Sequence, residues 1–278
     1  MKRLLTIQDL SCVGQCSTTV ALPLVSACGV ECAVLPPAML SNHTAAGFKG
    51  WSFCDLTDEM AKVEAKWIEQ GIGFDAFYTG YVCEQHIDPI LSIMRTCAAP
   101  GAIRIVDPAM ADDGVLYRGF GPDFPSKMIR LCEGADYLLP NITEAALLAG
   151  EDPVFFGARA SRPRREDIER LIPKLHGLGV KTVVLTGVSF NETELGTAVS
   201  DGKTIEYDFN PRNPRNSHGT GDVFASVFAG AVLRGKSVLE AVALAADMVC
   251  AAIEATDPNH WYGVSFEKVI PNLVDGFR

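Results

Sequence analysis

The chain has 278 residues, of which 48% are hydrophobic and 21% are charged, and its formal net charge at pH 7 is −10. This length and apolar content suit one large α/β unit with a sizeable core. The negative charge argues against nucleic acid or an anionic membrane as the main partner, so an anionic substrate must be held by local devices such as helix N-termini or a bridging cation.

The nine cysteines are scattered along the chain and form no C-x-x-C pair. The start, "MKRLLTIQDL", lacks the apolar stretch of a secretory signal, and no apolar run is long enough to cross a bilayer. An odd number of cysteines in such a chain favours reduced thiols. We therefore expect a cytoplasmic protein with no membrane segment.

Short apolar runs alternate with longer amphipathic stretches along most of the chain, which predicts strands alternating with helices. The predicted strands are 3–7, 31–36, 75–80, 102–108, 135–140 and 181–187. The predicted helices are 17–28, 58–71, 84–95, 141–150 and 165–179, the fourth with Thr143 as its N-cap.

Residues 196–209 differ, because two β-rich runs there are joined by Asp201-Gly202, a hairpin signal. Two helices are predicted after it, at about 222–234 and 237–256. The whole pattern predicts an α/β fold over 1–278 as a single domain. Its sheet is doubly wound and mostly parallel, with helices on both faces and ligand sites at the carboxyl ends of strands.

Several common signatures are missing. The chain has no G-x-x-x-x-G-K-[ST] loop, no H-E-x-x-H and no G-x-S-x-G elbow. Residues 71–76, "GIGFDA", match G-x-G-x-x-A but precede a strand, which is the wrong context for a dinucleotide site. These absences argue against P-loop, zincin and α/β-hydrolase chemistry.

The phosphate-binding candidate is Gly219-Thr220-Gly221-Asp222, at the start of an apolar helix. Glycines let the backbone approach a ligand closely, and free N–H groups of the first helical turn favour negative charge. Asp222 beside such a site can accept a proton from an attacking hydroxyl. The alternative is a glycine-rich turn with Asp222 as a simple helix cap.

The chain resembles the ribokinase-like superfamily and, more closely, its pyridoxal kinase branch. The resemblance covers most of the chain and rests on segments in a fixed order: "QDLSCVGQCS" with "ALP" at 8–23, "LSNHT" at 40–44, "TGY" at 79–81, "DPAMADDGVLY" at 107–117, "LLPNITEAALLAG" at 138–150 and "GTGD" at 219–222. "SNHT" and "TGY" are the more specific for the vitamin B6 branch.

This resemblance implies a ribokinase-like fold and phosphorylation of the 5′-hydroxymethyl group of a B6 vitamer by ATP. Asp222 would be the general base, and the anion hole would be formed by Gly219, Thr220 and Gly221. The resemblance places five residues around the vitamer: Asp9, Ser11, Val13, Thr44 and Tyr81. Many relatives have Gln-Ser where this chain has Gln8-Asp9, so Ser11 or Asp9 itself would contact the pyridine ring.

The resemblance also implies ATP-binding and metal-binding residues. ATP would contact Asn141, Glu144, Thr186 and Gly187, and Mg²⁺ would be held by Asp107 and Glu144. Each of these side chains has a structural alternative, such as a turn, a strand end or a helix cap. A monovalent cation such as K⁺ and a homodimeric state are further features of relatives.

Three other functions remain open. A hydroxymethylpyrimidine kinase would phosphorylate a similar alcohol with the same machinery, and a catalytically silent vitamer-binding protein would need no base. A redox-sensing thiol protein would use Cys12 and Cys16. A sugar kinase fits less well, because such relatives carry an inserted lid of strands and residues 10–60 look too compact for one.

Overall fold

The computed structural model describes residues 1–44, 47–153, 163–215 and 217–277. By its internal contacts the chain divides into two compact units. The first unit combines Met1–Ala102 with Asn213–Arg278, and the second is Ile103–Arg212. The single domain over 1–278 stays a prediction.

The elements follow the predicted alternation of strands and helices. Up to residue 106 they are β1 (Arg3–Ile7), β2 (Leu10–Ser11), α1 (Thr18–Ala27), β3 (Glu31–Val34), β4 (Ala38–Leu40), β5 (Phe53–Asp55), α2 (Thr57–Glu69), β6 (Phe74–Thr79), α3 (Ile87–Thr96) and β7 (Ala98–Val106). Then come β8 (Ala111–Asp112), β9 (Val115–Leu116), α4 (Phe124–Cys132), β10 (Tyr137–Leu138), α5 (Ile142–Leu148), α6 (Arg165–His176), β11 (Thr182–Val188), β12 (Glu194–Ser200) and β13 (Ile205–Pro211). The last helices are α7 (Thr220–Leu233), α8 (Val238–Ala255) and α9 (Ile270–Asp275).

In the first unit, β1 is the middle strand of a parallel set, with β3 on one side and β6 on the other. Its side chains Leu4, Leu5 and Ile7 are fully buried. Both faces of the strand therefore pack against other elements, as a continuous apolar run predicts. Helix α1 ends just before Gly29, whose φ of 80° lies in the left-handed region that glycine tolerates best.

A second, three-stranded sheet in the first unit joins β2, β4 and β5, with β2 parallel to β4 and β4 antiparallel to β5. The expectation that residues 10–60 are too compact to contain such strands was therefore wrong. Its strands have two or three residues each. Runs this short show no hydrophobic period, so sequence patterning does not detect them.

In the second unit, β10 lies between β7 and β11, and all three strands are parallel. The predicted hairpin is present, since β12 is antiparallel to both β11 and β13. Its turn is held by the Asp201 carboxylate, which accepts from the backbone N–H groups of Lys203 and Thr204 at 2.9 and 3.0 Å. The strands and their flanking helices confirm the predicted α/β class with a mostly parallel sheet.

Helices α1 and α7 of the first unit pack closely side by side. At their carboxyl ends, a Cβ atom on Gly230 would lie 2.5 Å from the Sγ of Cys28, so glycine is required there. At their amino ends, Gly219 lies directly against the backbone carbonyl of Gln15. The two helices therefore run in the same direction and begin at the same place.

Within the described ranges, no helix is both long and apolar enough to cross a membrane.

Candidate active site

The predicted anion loop stands at the first turn of α7. Gly219 is the N-cap and has a φ of 78°, and an added Cβ would collide with the carbonyl oxygen of Gln15. By contrast, a Cβ added to Gly221 would have no heavy atom within 4 Å. The first glycine is thus required by the backbone, and the second leaves open space in front of the helix N-terminus.

This open space lies at the joint beginning of α1 and α7. The amino end of a helix carries the positive end of the helix dipole, and the first N–H groups there have no acceptor within the helix itself. Because both amino ends converge, an anion in front of Gly221 would lie in the field of two helices. The geometry suits a phosphoryl group.

Asp222 sits in the first turn of α7 and is half-buried. The pKa of Asp222 is raised to about 7: burial is the main cause, the backbone N–H of Ser17 lowers the pKa, and the nearby Asp9 carboxyl raises it. A carboxyl with a pKa near neutrality is well matched to accepting and releasing a proton at physiological pH. A plain surface helix cap would not be expected to carry such a shift.

The loop at residues 14–17 faces Asp222 and Gly219 and has an unusual backbone. Gly14, Gln15 and Ser17 have φ angles of 146°, 48° and 50°. For a residue other than glycine, such a conformation costs about 1–3 kcal/mol and persists only where surrounding contacts hold it. This segment is part of the family resemblance, but the sequence predicted no role for Gln15 or Ser17. Only Gly14 is a residue type that indicates an unusual backbone.

Asp9 and Ser11 lie just after β1 and are both buried. The Ser11 hydroxyl donates to the Asp9 carboxylate at 2.8 Å, and the Ser17 side chain is a second hydrogen-bond partner of that carboxylate. Burial raises the pKa of Asp9, while these hydrogen bonds lower it. Asp9 and Ser11, the two alternative contacts of the pyridine ring, are therefore hydrogen-bonded to each other.

Tyr81 lies beside the same carboxylate. Its carbonyl accepts a hydrogen bond from the Asp9 backbone N–H at 3.3 Å. Burial raises the pKa of the Tyr81 phenol, and Cys83 and Asp9 raise it further. The phenol thus stays protonated, and the structure brings Asp9, Ser11, Tyr81 and Asp222 into one neighbourhood of the first unit.

Val13 and Thr44 flank this neighbourhood. Val13 is 50% exposed, and its carbonyl accepts from the backbone N–H of His43 at 2.8 Å. Thr44 is the next residue after His43 and is half-buried, immediately before the undescribed residues 45–46. The ring of His43 lies 5.7 Å from that of His218, and burial together with His218 lowers the pKa of His43 to about 4.

The predicted ATP-binding residues lie together in the second unit. Asn141, rather than the predicted Thr143, is the N-cap of α5, because its carboxamide accepts from the Glu144 backbone N–H at 3.0 Å. The Glu144 carboxylate accepts in return from the Asn141 N–H at 2.9 Å, which completes a capping box. The Thr143 hydroxyl is used elsewhere and accepts from the Gly114 N–H at 3.0 Å.

Thr186 pairs with the same segment. Asn141 and Thr186 form a parallel β-bridge, and the Thr186 N–H donates to the Pro140 carbonyl at 2.9 Å. Gly187 follows at an irregularity in the β11–β12 pairing, with a φ of 76°. Gly187 therefore allows a bulge inside β11, beside the bridge that joins Thr186 to Asn141.

Glu144 is buried and also accepts from the backbone N–H groups of Met110 and Ala111 at 3.0 and 3.4 Å. Burial raises the pKa of Glu144, and the three backbone donors lower it. Burial raises the pKa of the Cys132 thiol, and Glu144 and Asp107 raise it further, so both predicted metal-binding carboxyls lie in the surroundings of Cys132.

Asp107 and Glu144 are the candidate carboxyls for holding Mg²⁺. In the described parts of the chain, no group of three or more His, Cys, Asp or Glu side chains has metal-binding geometry. Mg²⁺ in phosphate-transfer sites needs only one or two protein carboxylates, with phosphate and water as its other ligands. Two carboxyls are therefore enough in number for a substrate-bound Mg²⁺, but both oxygens of Glu144 already accept from backbone N–H groups.

Comparisons with known proteins show what this chain is similar to. A model of the phosphomethylpyrimidine kinase family matches residues 25–265. The pyridoxal kinase PdxY of Rubrobacter xylanophilus is 26% identical over 270 residues, which cover 91% of this chain and 87% of that protein.

Two solved structures are also similar. One is a putative phosphomethylpyrimidine kinase of Bacteroides thetaiotaomicron, solved with pyridoxal, which is 31% identical to this chain. The match covers 98% of this chain and 95% of that one, with a TM-score of 0.89. The other is the pyridoxal kinase of Lactobacillus plantarum, which is 29% identical. The match covers 99% of this chain and 97% of that one, with a TM-score of 0.88. These likenesses confirm the predicted ribokinase-like form of the α/β fold.

Proposed function

This chain belongs to the phosphomethylpyrimidine kinase family, and from that premise we propose that it transfers the γ-phosphoryl group of ATP to the 5′-hydroxymethyl group of a vitamin B6 vitamer. The observation that carries the proposal is Asp222, a half-buried carboxyl with a pKa of about 7 at the beginning of α7, behind two loop glycines. The chain is a kinase, and its substrate is pyridoxal, pyridoxine or pyridoxamine.

Asp222 is the proposed general base. As the hydroxymethyl oxygen forms its bond to the γ-phosphorus, the hydroxyl proton passes to the Asp222 carboxylate. The bond between the γ-phosphorus and the bridging oxygen breaks, and ADP leaves with the bonding electrons. The backbone N–H groups of the loop formed by Gly219, Thr220 and Gly221 stabilise the negative charge that develops on the transferring group.

Five residues are proposed to hold the vitamer. Tyr81 offers a protonated phenol and an aromatic ring, Asp9 and Ser11 offer a polar pair, and Val13 offers an exposed apolar surface. Thr44 is proposed as a further contact. Support for a B6 ring over a pyrimidine comes from "SNHT" and "TGY" and from the pyridoxal in the Bacteroides structure.

ATP is proposed to bind Asn141, Glu144, Thr186 and Gly187 of the second unit. Support comes from the β-bridge between Asn141 and Thr186 and from the capping box of α5, which bring these residues together. Asp107 and Glu144 would hold Mg²⁺, which when bound offsets the negative charge of the phosphates. A K⁺ requirement, a homodimeric state and a cytoplasmic location are proposals that rest on the resemblance and on the reduced thiols.

The second candidate is a hydroxymethylpyrimidine kinase. It is favoured by the description of the matching family and by the name of the Bacteroides relative. Both candidates need the same base and anion loop, and they differ in the ring that is bound.

The deciding experiment measures phosphorylated product with Mg-ATP and each of pyridoxal, pyridoxine, pyridoxamine and hydroxymethylpyrimidine. We expect efficient product from at least one B6 vitamer, and a loss of roughly 10²- to 10⁴-fold in kcat for Asp222→Asn. Turnover with the pyrimidine alone would assign the chain to the second candidate. Tight vitamer binding without turnover would support a silent binding protein.

A further inference from the structure

The strained loop at residues 14–17 is held by side chains that follow α8, far away in the chain. The Gln15 carboxamide nitrogen donates to both oxygens of the Glu267 carboxylate at 2.8 Å. The Gln15 carboxamide oxygen lies 2.6 Å from Nε2 of His260. A carboxylate can only accept, so the amide nitrogen faces Glu267, and His260 must donate through its Nε2–H.

The contact between these segments is close along the backbone as well. A Cβ atom added to Gly263 would lie 2.6 Å from Cβ of Gln15 and 3.1 Å from the carbonyl oxygen of Gly14. The ring of His260 packs on Tyr262 with centroids 4.2 Å apart. The side chain of Gln15 is therefore fixed by two hydrogen-bonding partners and by a glycine that leaves room for it.

The fixed loop touches the proposed catalytic machinery at two points. The Gln15 carbonyl oxygen packs against Gly219, the N-cap of α7. The Ser17 backbone N–H lies near the Asp222 carboxyl and lowers its pKa. Gln15 therefore contacts the start of the anion loop directly, and it lies two residues from the N–H that acts on the base.

We propose that Gln15, His260 and Glu267 form a positioning clamp that holds the loop at residues 14–17 against the proposed base and anion loop. None of the three touches the reacting atoms; they act through Ser17 and Gly219. The inference rests on the proposed function. It adds three positioning residues to that reaction, and two of them come from a segment outside every motif of the resemblance.

The clamp predicts a specific change in the pH dependence of kcat. The base must be ionised to accept a proton, and the Ser17 N–H favours its ionised form. Loss of this donor moves the acidic limb of the kcat profile to higher pH. Two titratable groups of the described residues face Asp222: Asp9, in the loop before β2, and the Cys16 thiol, in the loop before α1. His218 lies in the same loop as Gly219, and its ring is near that of His43.

The experiment compares Gln15→Met and Glu267→Ala with the parent protein in the vitamer kinase assay. Methionine keeps the length of the side chain but removes its hydrogen bonds. We expect kcat to fall roughly tenfold or more, KM for both substrates to stay nearly constant, and the acidic limb to move to higher pH. Glu267→Gln, which can still accept from Gln15, should restore most of kcat.

The control is Glu254→Ala, an exposed acid of the same unit at the end of α8, which should leave kcat and the pH profile unchanged. Thermal unfolding checks that the variants are folded. Unchanged kcat and pH profile in folded Gln15→Met and Glu267→Ala would overturn the clamp. If instead the parent protein phosphorylates none of the substrates, the proposed function fails, and that result is seen before any variant is made.

Discussion

Replacing Asp222 by asparagine should abolish most activity and at the same time stabilise the protein. Burial raises the pKa of Asp222 to about 7, whereas an aspartate in an unfolded chain titrates near pH 3.9. Between these values the folded state binds more protons than the unfolded state, so the free energy of unfolding falls as the pH rises. Asparagine is neutral in both states and avoids this loss.

The size of the effect follows from the shift. A carboxyl raised by about three units costs at most about 4 kcal/mol of stability at pH 8, and about 1.5 kcal/mol at pH 5, where the folded state is still protonated. Asp222 keeps some contact with solvent, which screens part of this cost. We therefore expect the stability gain of Asp222→Asn to be about 1–3 kcal/mol larger at pH 8 than at pH 5.

The assay is urea unfolding of both proteins at the two pH values, with kcat measured on the same samples. Differences in packing or hydrogen bonding between Asp and Asn are common to both pH values and cancel in the comparison. Asp58→Asn, on the exposed first turn of α2, controls for the loss of one negative charge. An equal stability gain at both pH values, or a loss at pH 8, would refute the buried-base reasoning.

Three further predictions concern the glycines of the anion loop, the buried Glu144 of α5 and the thiols. Gly219→Ala should lower stability by about 1–2 kcal/mol or more through its left-handed φ, whereas Gly221→Ala should fold normally yet lose activity; full activity of folded Gly221→Ala would contradict the anion site. Glu144→Ala should destabilise the fold by roughly 2–4 kcal/mol in chemical unfolding, since buried N–H donors lose their acceptor; an unchanged midpoint would show that they find another partner. A thiol reagent under native conditions should label the exposed Cys12 and Cys54 first, as read by mass spectrometry of peptides; faster labelling of a buried cysteine would speak for a redox role.

The sequence predicted the strands and helices whose apolar residues recur at regular spacing, and it predicted the glycine loop at 219–222. β1, β11 and the hairpin of β12 and β13 follow the predicted bounds within a few residues, because their apolar runs are long and end at glycine or charged turns. The loop at 219–222 was placed correctly at a helix start, because two glycines before an apolar helix have few structural uses.

The pattern failed where tertiary contacts decide the conformation. The left-handed φ of Gln15 and Ser17 has no local cause, since both residues favour other conformations in isolation. The hydrogen bond between Gln15 and His260 joins residues 245 positions apart. The capping of α5 by Asn141 rather than Thr143 was missed by two residues, an ordinary error at a helix boundary, where several residues can cap.

The division of the chain has a consequence for its synthesis on the ribosome. The second unit is one continuous segment, so residues 103–212 can complete their own contacts while later residues are still being added. The first unit is discontinuous, and α1 must wait for α7 before it has its packing partner. Asp222 and the clamp residues His260 and Glu267 all follow the second unit in the chain. In a nascent chain the side of α1 that packs against α7 therefore stays without this partner until α7 has been made, and the proposed base is added with the same helix.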